Sequence, residues 1–326
     1  MRVLVTGANG FLGRYLLKEL KSQGHHALAF VRSQQSAESL KGFDCEVITG
    51  SLESLEDIKK GLQNIKAIIH AAGGGKAENP DSFFKNNVLP TQCLLKGIEH
   101  SKVEKFILVS SLAAIGPSPA NAPRQNHSPA NPLSPYGESK AQAEAAVLPI
   151  KKNIQIGIVR PPTIYGPADY RLFPLFKAAQ KGWAPIPGGL PKTLSLIHVQ
   201  DCAAAIIRCL DANYESGSTF FIDDGQIHSI ENLVETLGQA FNTHPKIIPI
   251  PVPLLSIFAL LSTLTTKLLK RDAWLTPSKV KELKEPHWIC DSSASQKILE
   301  WRPQIKLAQG IQSTAQWYLE HGWLKK

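Results

Sequence analysis

Apolar positions in the first half of the chain follow two patterns in turn. Short runs of β-branched and apolar residues, typical of buried strands, are followed by stretches in which apolar residues recur every three or four positions. The first such pair is Val3–Val5 and Phe11–Leu20. Further strands, some with their exits, are predicted at 26–32, 45–50, 67–73, 105–111 and 155–159. Because strands joined by helical crossovers run parallel, the pattern predicts an α/β fold with a doubly wound parallel sheet.

Beyond residue 167 the pattern becomes less regular. Helices are predicted there at 172–181, 201–211 and 229–241, and a strand at 219–222, whereas a helix predicted at 81–100 lies in the regular first half. Residues 247–266 carry no charge, and the stretch 254–269 is strongly apolar. Its uninterrupted helix is short for a membrane span, which needs ~20 apolar residues. We therefore favour a buried or substrate-capping helix, with membrane contact as the alternative.

Glycines follow the first strand at spacings of three. Glycine tolerates positive φ and lets the backbone approach a ligand closely. The helix that begins in this turn offers unpaired N–H groups and the positive end of its dipole. Strand, glycine turn and helix together predict a Rossmann-type pyrophosphate site. Its expected cofactor-binding residues are Gly7, Asn9, Gly10, Phe11, Leu12 and Gly13.

The end of the second strand bears on the choice of cofactor. NAD enzymes of this type carry an acidic residue there, which binds the ribose 2′-hydroxyl. Here the position holds Arg32, followed by Ser33. A guanidinium pairs with a 2′-phosphate and stacks on adenine, whereas an aspartate would repel that phosphate. We therefore expect NADP rather than NAD, although a solvated arginine without this role would leave the choice open.

A tyrosine and a lysine lie four residues apart near the start of a predicted helix. The segment is Ser134-Pro-Tyr136-Gly-Glu-Ser-Lys140, and this spacing places Tyr136 and Lys140 on one helical face. A nearby ammonium favours the phenolate form and so makes tyrosine a better acid/base near neutral pH. Because Tyr136 and Lys140 follow a predicted strand that ends in Ser110-Ser111, the pair indicates a catalytic site.

Together these motifs resemble the extended short-chain dehydrogenases/reductases, also called the NAD-dependent epimerase/dehydratase family. The resemblance runs from Thr6–Gly13 to the C-terminal tail, where Glu300 stands at a position usually held by glycine. The family's catalytic serine lies five residues before a glycine, here Gly116, which selects Ser111 over Ser110. The implied catalytic residues are Ser111, Tyr136, Lys140 and Asn87.

Asn87, Val88 and Thr91 resemble the family's Asn-Val…Thr pattern. In the family this asparagine helps to fix the active-site helix, and an equally simple reading is that it caps or bends its own helix. His70 is expected to be a packed histidine at a strand end rather than a ligand.

Further cofactor contacts are implied at the exits of the third, fourth and sixth strands. Ser51 stands where the family often has an aspartate for the adenine amino group, and it would accept a weaker hydrogen bond. The Arg160–Pro167 segment resembles the family's nicotinamide-end motif. Beside Tyr136 and Lys140, the implied contacts are Ser51, Leu52, Ala71, Ala72, Gly73, Pro161, Thr163 and Ile164.

The resemblance also implies the domain organisation. A Rossmann domain is expected at 1–166 and a smaller, mostly helical substrate-binding region at 167–326. Segments near 194–203 and 218–223 are expected to return to the core. Residues 117–135 are expected to form an irregular lip of the substrate pocket.

Two enzyme classes share this machinery. The family's nucleotide-sugar enzymes carry an arginine four residues before the histidine of an Ile-His-Val segment and a second one near an Asp-x-Ser segment. Here the first position is Leu194, and 276–290 contains no arginine; Lys192 and Lys281 would act only as point charges. We therefore favour a redox enzyme for an oxo or hydroxy group of a small, partly apolar substrate. A sugar-nucleotide epimerase or dehydratase that retains its NAD(P) is the alternative, and an NADP sensor without turnover is a third.

Composition limits the partner classes. The formal net charge of +9 suits an anionic cofactor, but no basic cluster is interleaved with aromatics, so nucleic acid is not expected. The 5 scattered cysteines lack metal-ligand spacing and indicate a reducing compartment. Since Met1-Arg2 lead directly into the first strand, we expect a cytoplasmic protein without a membrane span. The resemblance suggests a homodimer through helices near 85–100 and 136–150.

Overall fold

The chain is represented by a computed structural model. It describes residues 1–74, 80–99, 101–150, 154–269 and 276–325. The end of the predicted helix at 81–100, residue His100, therefore lies outside the described residues.

Strands and helices alternate through the first half, as the apolar pattern predicts. The described strands are β1 (Arg2–Thr6), β2 (His26–Val31), β3 (Glu46–Thr49), β4 (Ala67–His70), β5 (Lys105–Val109), β6 (Gln155–Arg160), β7 (Thr163–Tyr165), β8 (Trp183–Pro187), β9 (Thr193–Leu194), β10 (Leu196–His198), β11 (Ser218–Phe221), β12 (His228–Ser229), β13 (Lys246–Ile250) and β14 (His287–Trp288).

The helices differ in length, and several begin at a serine or threonine that caps the first turn. The described helices are α1 (Phe11–Ser22), α2 (Gln34–Glu38), α3 (Leu55–Gly61), α4 (Pro80–Phe83), α5 (Leu89–Ile98), α6 (Pro135–Val147), α7 (Phe173–Gln180), α8 (Val199–Asp211), α9 (Ile230–Phe241), α10 (Val252–Leu269), α11 (Pro277–Lys284), α12 (Ser293–Ile298) and α13 (Leu307–Glu320). A π-helical turn, Phe84–Val88, joins α4 to α5, and Leu112–Ala114 and Leu148–Ile150 form 3₁₀ turns.

The main sheet has the strand order β11-β6-β5-β4-β1-β2-β3, and all neighbouring pairs are parallel. The α/β, Rossmann-type fold is therefore confirmed. The chain leaves β1 toward β2 on one side and later returns to β4 on the other. Such a reversal opens a crevice at the carboxyl ends of the strands, where ligands bind in sheets of this kind.

Both faces of the sheet are covered. Val3 and Val5 point into a core with α1 and α8, whereas Leu4 between them packs in a second core with α3, α5 and α6. This explains why the strands read as continuous apolar runs rather than as an alternation.

The second half of the chain adds a seventh strand to the main sheet and takes part in smaller sheets. β11 pairs with β6 as the seventh strand, and β10 pairs in parallel with β7. β10 lies within 194–203 and β11 within 218–223. The remaining elements form a third apolar core, in which Tyr165, Phe176 and Tyr318 are fully buried.

Residues 117–134 are irregular, whereas Pro135, the last residue of the predicted irregular segment, begins α6; a distant segment holds the irregular residues in place. Arg124 and Cys290 form a parallel bridge, and the Ser118 amide donates to the His287 carbonyl at 3.0 Å. The irregular segment is thus joined to residues close to β14.

α10 was expected to be a buried or substrate-capping helix, and the structure buries it on one side only. Leu255 and Ala259 are buried against Val280 of α11, but Ile257 and Phe258 on the other side are 57% and 55% exposed. The difference arises because α11 covers only one side of α10. Among the described residues, none of the helices has the length and apolar character needed to cross a membrane.

Candidate active site

The glycine turn between β1 and α1 has almost no space for side chains. Gly7 has a φ of +70°, and a Cβ there would lie 2.7 Å from the Ala71 carbonyl oxygen. A Cβ on Gly13 would lie 2.1 Å from the Gly7 carbonyl oxygen. Gly10 is the N-cap of α1 and makes no side-chain cap, so the first N–H groups of the helix face the turn. This cradle fits a dinucleotide pyrophosphate.

A chain of hydrogen bonds crosses the sheet next to this turn. The Ala72 amide donates to Thr6 Oγ1 at 3.1 Å, and Thr6 Oγ1 lies 2.7 Å from His70 Nδ1. His70 Nε2 lies 3.0 Å from Thr91 Oγ1, which itself donates to the Asn87 carbonyl at 2.7 Å.

These contacts determine the tautomer of His70. Because the Thr91 hydroxyl donates its proton to Asn87, it accepts from Nε2–H, and Nδ1 then accepts from the Thr6 hydroxyl. Burial and the charge of Lys140 lower the pKa of His70 to about 3, so the ring is neutral. His70 is thus a packed connector between β1, β4 and α5, in agreement with the sequence expectation.

Asn87 lies in the π-helical turn and is 2% exposed. Its Oδ1 accepts from the Gly74 amide at 3.0 Å, and its Nδ2 donates to Ser139 Oγ at 2.8 Å. Asn87 therefore connects the exit of β4 to α6. The alternative reading, a residue that serves only its own helix, does not account for these two bonds.

Gly73 brings the β4 exit against the same side chains. Its φ is +119°, and a Cβ there would lie 2.2 Å from Asn87 Oδ1 and 3.5 Å from Lys140 Nζ. Lys140 is 6% exposed, and its Nζ donates to the Val109 carbonyl at 2.9 Å. Burial lowers the pKa of the Lys140 ammonium, whereas the charges of Tyr136 and Glu144 act in the opposite direction.

Ser111 is held beside the start of α6. It begins the 3₁₀ turn Leu112–Ala114, and its Oγ accepts from the Ala113 amide at 3.1 Å. A Cβ on Gly137 would lie 2.3 Å from the Ala113 carbonyl oxygen, so this turn packs directly on the residue next to Tyr136. The 3₁₀ turn that begins at Ser111, called the serine turn, thus lies with Tyr136 and Lys140 at one end of β5.

Ser110 has a different environment from Ser111. It is 4% exposed, and its Oγ donates to Glu144 Oε1 at 2.5 Å. Glu144 is also paired with Arg160, whose Nη2 lies 2.8 Å from Oε2. Ser110 is therefore part of a buried ion-pair network, while Ser111 is half-buried at the crevice.

The other predicted cofactor contacts lie along the same edge of the sheet. Arg32 follows β2 and is exposed, and Ser33 caps α2 through its hydroxyl. The Ser51 amide donates to Asp57 Oδ2 at 2.9 Å, so an aspartate does lie beside this loop, six residues further along the chain. Leu52 packs against the apolar core below.

At the far side of the crevice, the chain leaves β6 through Pro161. The Pro161 carbonyl accepts from the Leu112 amide at 2.9 Å and so ties this exit to the serine turn. Thr163 and Ile164 belong to β7, in which Thr163 is exposed and Ile164 is half-buried.

Two neighbours of Tyr136 were missed by sequence reasoning. The Phe83 ring centroid lies 6.0 Å from that of Tyr136. The second neighbour is Arg171, which interacts electrostatically with Tyr136. Its positive charge also helps to lower the pKa of Lys140. Arg171 comes shortly after the Tyr165-Gly-Pro segment in the sequence. That position could have indicated an arginine near the active site.

The chain is similar in sequence to known proteins. The model of the NAD dependent epimerase/dehydratase family matches residues 3–222. A ceramide reductase of Caulobacter vibrioides is 30% identical over 99% of this chain and 96% of its own length. A 4-hydroxy-2-methyl-3-oxo-4-farnesyl-3,4-dihydroquinoline-1-oxide ketoreductase of Stigmatella aurantiaca is 31% identical over 73% of this chain and 74% of its own length.

A solved structure is similar over nearly the full length. The UDP-glucuronic acid 4-epimerase from Bacillus cereus in complex with NAD has a TM-score of 0.79 and 21% identity, and the match covers 98% of this chain and 99% of that one. At this identity the likeness shows the fold alone.

Proposed function

The chain belongs to the NAD-dependent epimerase/dehydratase family and is an NAD(P)-dependent oxidoreductase of the extended short-chain dehydrogenase/reductase type; we propose that it moves hydride between NADP(H) and an oxo or hydroxy group of a small, partly apolar substrate. The observation that carries the proposal is the position of Lys140. Its buried ammonium lies one helical turn from Tyr136 and next to Gly73 at the exit of β4.

The proposed roles follow from these positions. The glycine turn and the Ala71–Gly73 exit hold the dinucleotide, and Lys140 holds its nicotinamide end. The bound cofactor supplies or accepts the hydride. Tyr136 donates a proton to the substrate oxygen in reduction, or accepts it in oxidation, with Lys140 one helical turn away on the same face of α6. Ser111 donates a hydrogen bond to the same oxygen, where negative charge develops. Asn87 positions α6 through Ser139.

Arg32 supports NADP as the cofactor. It follows β2 at the edge of the sheet that carries the glycine turn, and its guanidinium is exposed. A carboxylate at this place would favour the 2′-hydroxyl of NAD, whereas an arginine pairs with a 2′-phosphate. Titration of the purified protein with NADPH and NADH tests this proposal, with Arg32→Asp as the variant. Tighter binding of NADH by the unmodified protein would contradict it.

The partly apolar substrate is supported by two observations. Leu194, at the position where the nucleotide-sugar enzymes carry an arginine, is half-buried and packs against the third apolar core. The two similar reductases are named for ceramide and for a farnesyl-bearing quinoline, both of which have large hydrocarbon parts.

A NADPH-linked absorbance screen over ketones, lactones, sterols, long-chain oxo compounds and nucleotide sugars tests the reaction. Tyr136→Phe should lower kcat by about 10²–10⁴-fold and leave the NADPH affinity nearly unchanged. Tyr214→Phe is the control, since its hydroxyl bonds the Cys209 carbonyl and not the site. Full activity of Tyr136→Phe would show that another group exchanges the proton.

The epimerase or dehydratase alternative predicts a different behaviour of the cofactor. Such an enzyme returns the hydride to its own substrate, so the nucleotide should copurify and survive dialysis. Release of the cofactor after each turnover favours the redox proposal. Homodimerisation through helices near 85–100 and 136–150 stays a prediction, and residue 100 of the first range lies outside the described residues.

A further inference from the structure

Over the described side chains, the outer side of α10 is mainly apolar, whereas the exposed side of a surface helix is usually polar. Its large exposed apolar side chains include Leu254 at 44%, Ile257 at 57%, Phe258 at 55% and Leu260 at 58%, and these four are together called the α10 face. The buried side, Leu255 and Ala259, packs on α11. The helix therefore presents large apolar residues in both directions.

These side chains form one continuous stripe. At 3.6 residues per turn, the four positions of the α10 face lie within an arc of roughly 160°, and the buried residues lie outside it. Contiguous exposed apolar patches on soluble domains mark surfaces that bind another apolar phase or molecule.

The sequence that holds α10 and α11 is mainly basic. Positions 246–285 contain 7 lysines and arginines and 3 acidic residues, Asp272, Glu282 and Glu285, of which Glu282 is paired with Lys279 at 2.7 Å. On α11, Lys281 and Lys284 are exposed, and neither forms an ion pair with the described part of the chain. Exposed cations on the helix that packs against α10, together with the apolar stripe of α10 itself, complement an anionic lipid surface.

The α10–α11 unit borders the proposed active site. Glu282 of α11 accepts a hydrogen bond from the hydroxyl of Ser134, the N-cap of α6, which lies two residues before Tyr136. Trp288 Nε1 donates to the Glu282 carbonyl at 3.1 Å and holds the end of α11 in place.

We propose that the α10 face and the lysines of α11 bind the surface of an anionic lipid bilayer, with α10 lying along it. The apolar stripe enters the acyl boundary, and Lys281 and Lys284 meet the headgroups. A second copy of the chain is a poorer occupant, because a two-fold contact through this face would bring the same lysines of both copies together. The surface contact does not depend on the redox activity proposed above.

Vesicle cosedimentation tests the inference without any activity measurement. The full chain should bind vesicles of phosphatidylcholine with about 30% phosphatidylglycerol, and bind pure phosphatidylcholine at least about 10-fold more weakly. The double variant Ile257→Gln/Phe258→Gln should weaken binding by about 100-fold, since each large apolar side chain contributes roughly tenfold. Lys281→Gln and Lys284→Gln should each weaken it by about 5-fold.

Ile227→Gln is the matched control, since Ile227 is 50% exposed but lies outside α10. It should bind like the unmodified chain, and thermal unfolding should show that all variants fold. Failure to bind the anionic vesicles, equal binding to neutral vesicles, or an equal loss in Ile227→Gln would overturn the proposal. So would a concentration-dependent dimer that Ile257→Gln/Phe258→Gln dissociates, because the α10 face would then bind a second copy.

Discussion

Acidification should destabilise this fold through His70 before most carboxylates titrate. The ring is 1% exposed, and both of its nitrogens are engaged in the neutral form, by Thr6 and Thr91. A proton added at Nδ1 takes the place at which the Thr6 hydroxyl donates. It also puts a second positive charge near Lys140 in the buried interior.

The size of the effect follows from the pKa of His70 in the two states. Burial, together with the charge of Lys140, lowers it from 6.5 in the unfolded chain to about 3 in the fold. Between these values the unfolded chain binds more protons, so the contribution to stability is complete above pH 6.5 and is lost as the pH falls. The slope is about 1.4 kcal/mol per pH unit, which gives a loss of roughly 2.7 kcal/mol near pH 4.5.

Urea unfolding followed by tryptophan fluorescence, at several pH values between about 7.5 and 4.5, measures this loss. His70→Gln is the matched variant, because a glutamine can donate to Thr91 and accept from Thr6 without titrating. Burial also lowers the pKa of His198, to about 4, but that residue is present in both proteins. The difference between the two proteins therefore isolates His70. Parallel loss of stability in both would refute the reasoning.

Three further predictions concern single positions. Glu300→Gly should raise the free energy of unfolding by about 0.5–1 kcal/mol in urea titrations, because Glu300 has a φ of +47°, while Glu300→Ala should bring no gain. Gly13→Ala should lower it by at least about 2–3 kcal/mol and weaken binding of nicotinamide dinucleotide, since its Cβ would lie 2.1 Å from the Gly7 carbonyl oxygen; unchanged stability would show that α1 can shift. Lys140→Met should lower kcat by about 10²-fold or more and also raise the Kd for the nucleotide, whereas loss of the Tyr136 hydroxyl changes kcat alone; an unchanged Kd would remove Lys140 from the cofactor site.

The sequence by itself determined the features that depend on neighbours a few residues away. The strand, glycine turn and helix at the amino terminus follow from local backbone preferences, since Gly7 needs positive φ and Gly13 leaves no space for a side chain. The common face of Tyr136 and Lys140 follows from helix geometry alone. The departure at Glu300, where glycine was expected, coincides with positive φ in the structure.

Only the tertiary structure decided which of these segments meet. The bonds that connect Thr6, His70 and Thr91 join residues 64 and 21 positions apart, and no local pattern specifies them. The contact of Gly73 with Asn87 and Lys140 likewise depends on the order of strands in the sheet.

The exposed face of α10 is the plainest case. An apolar run predicts burial in the sequence, because apolar side chains generally leave water on folding. Whether they do depends on how much of the helix its neighbours cover, and here α11 covers only the side of Leu255 and Ala259. Local preferences are encoded within a few residues, whereas coverage is a property of the assembled surface and appears only when distant elements pack.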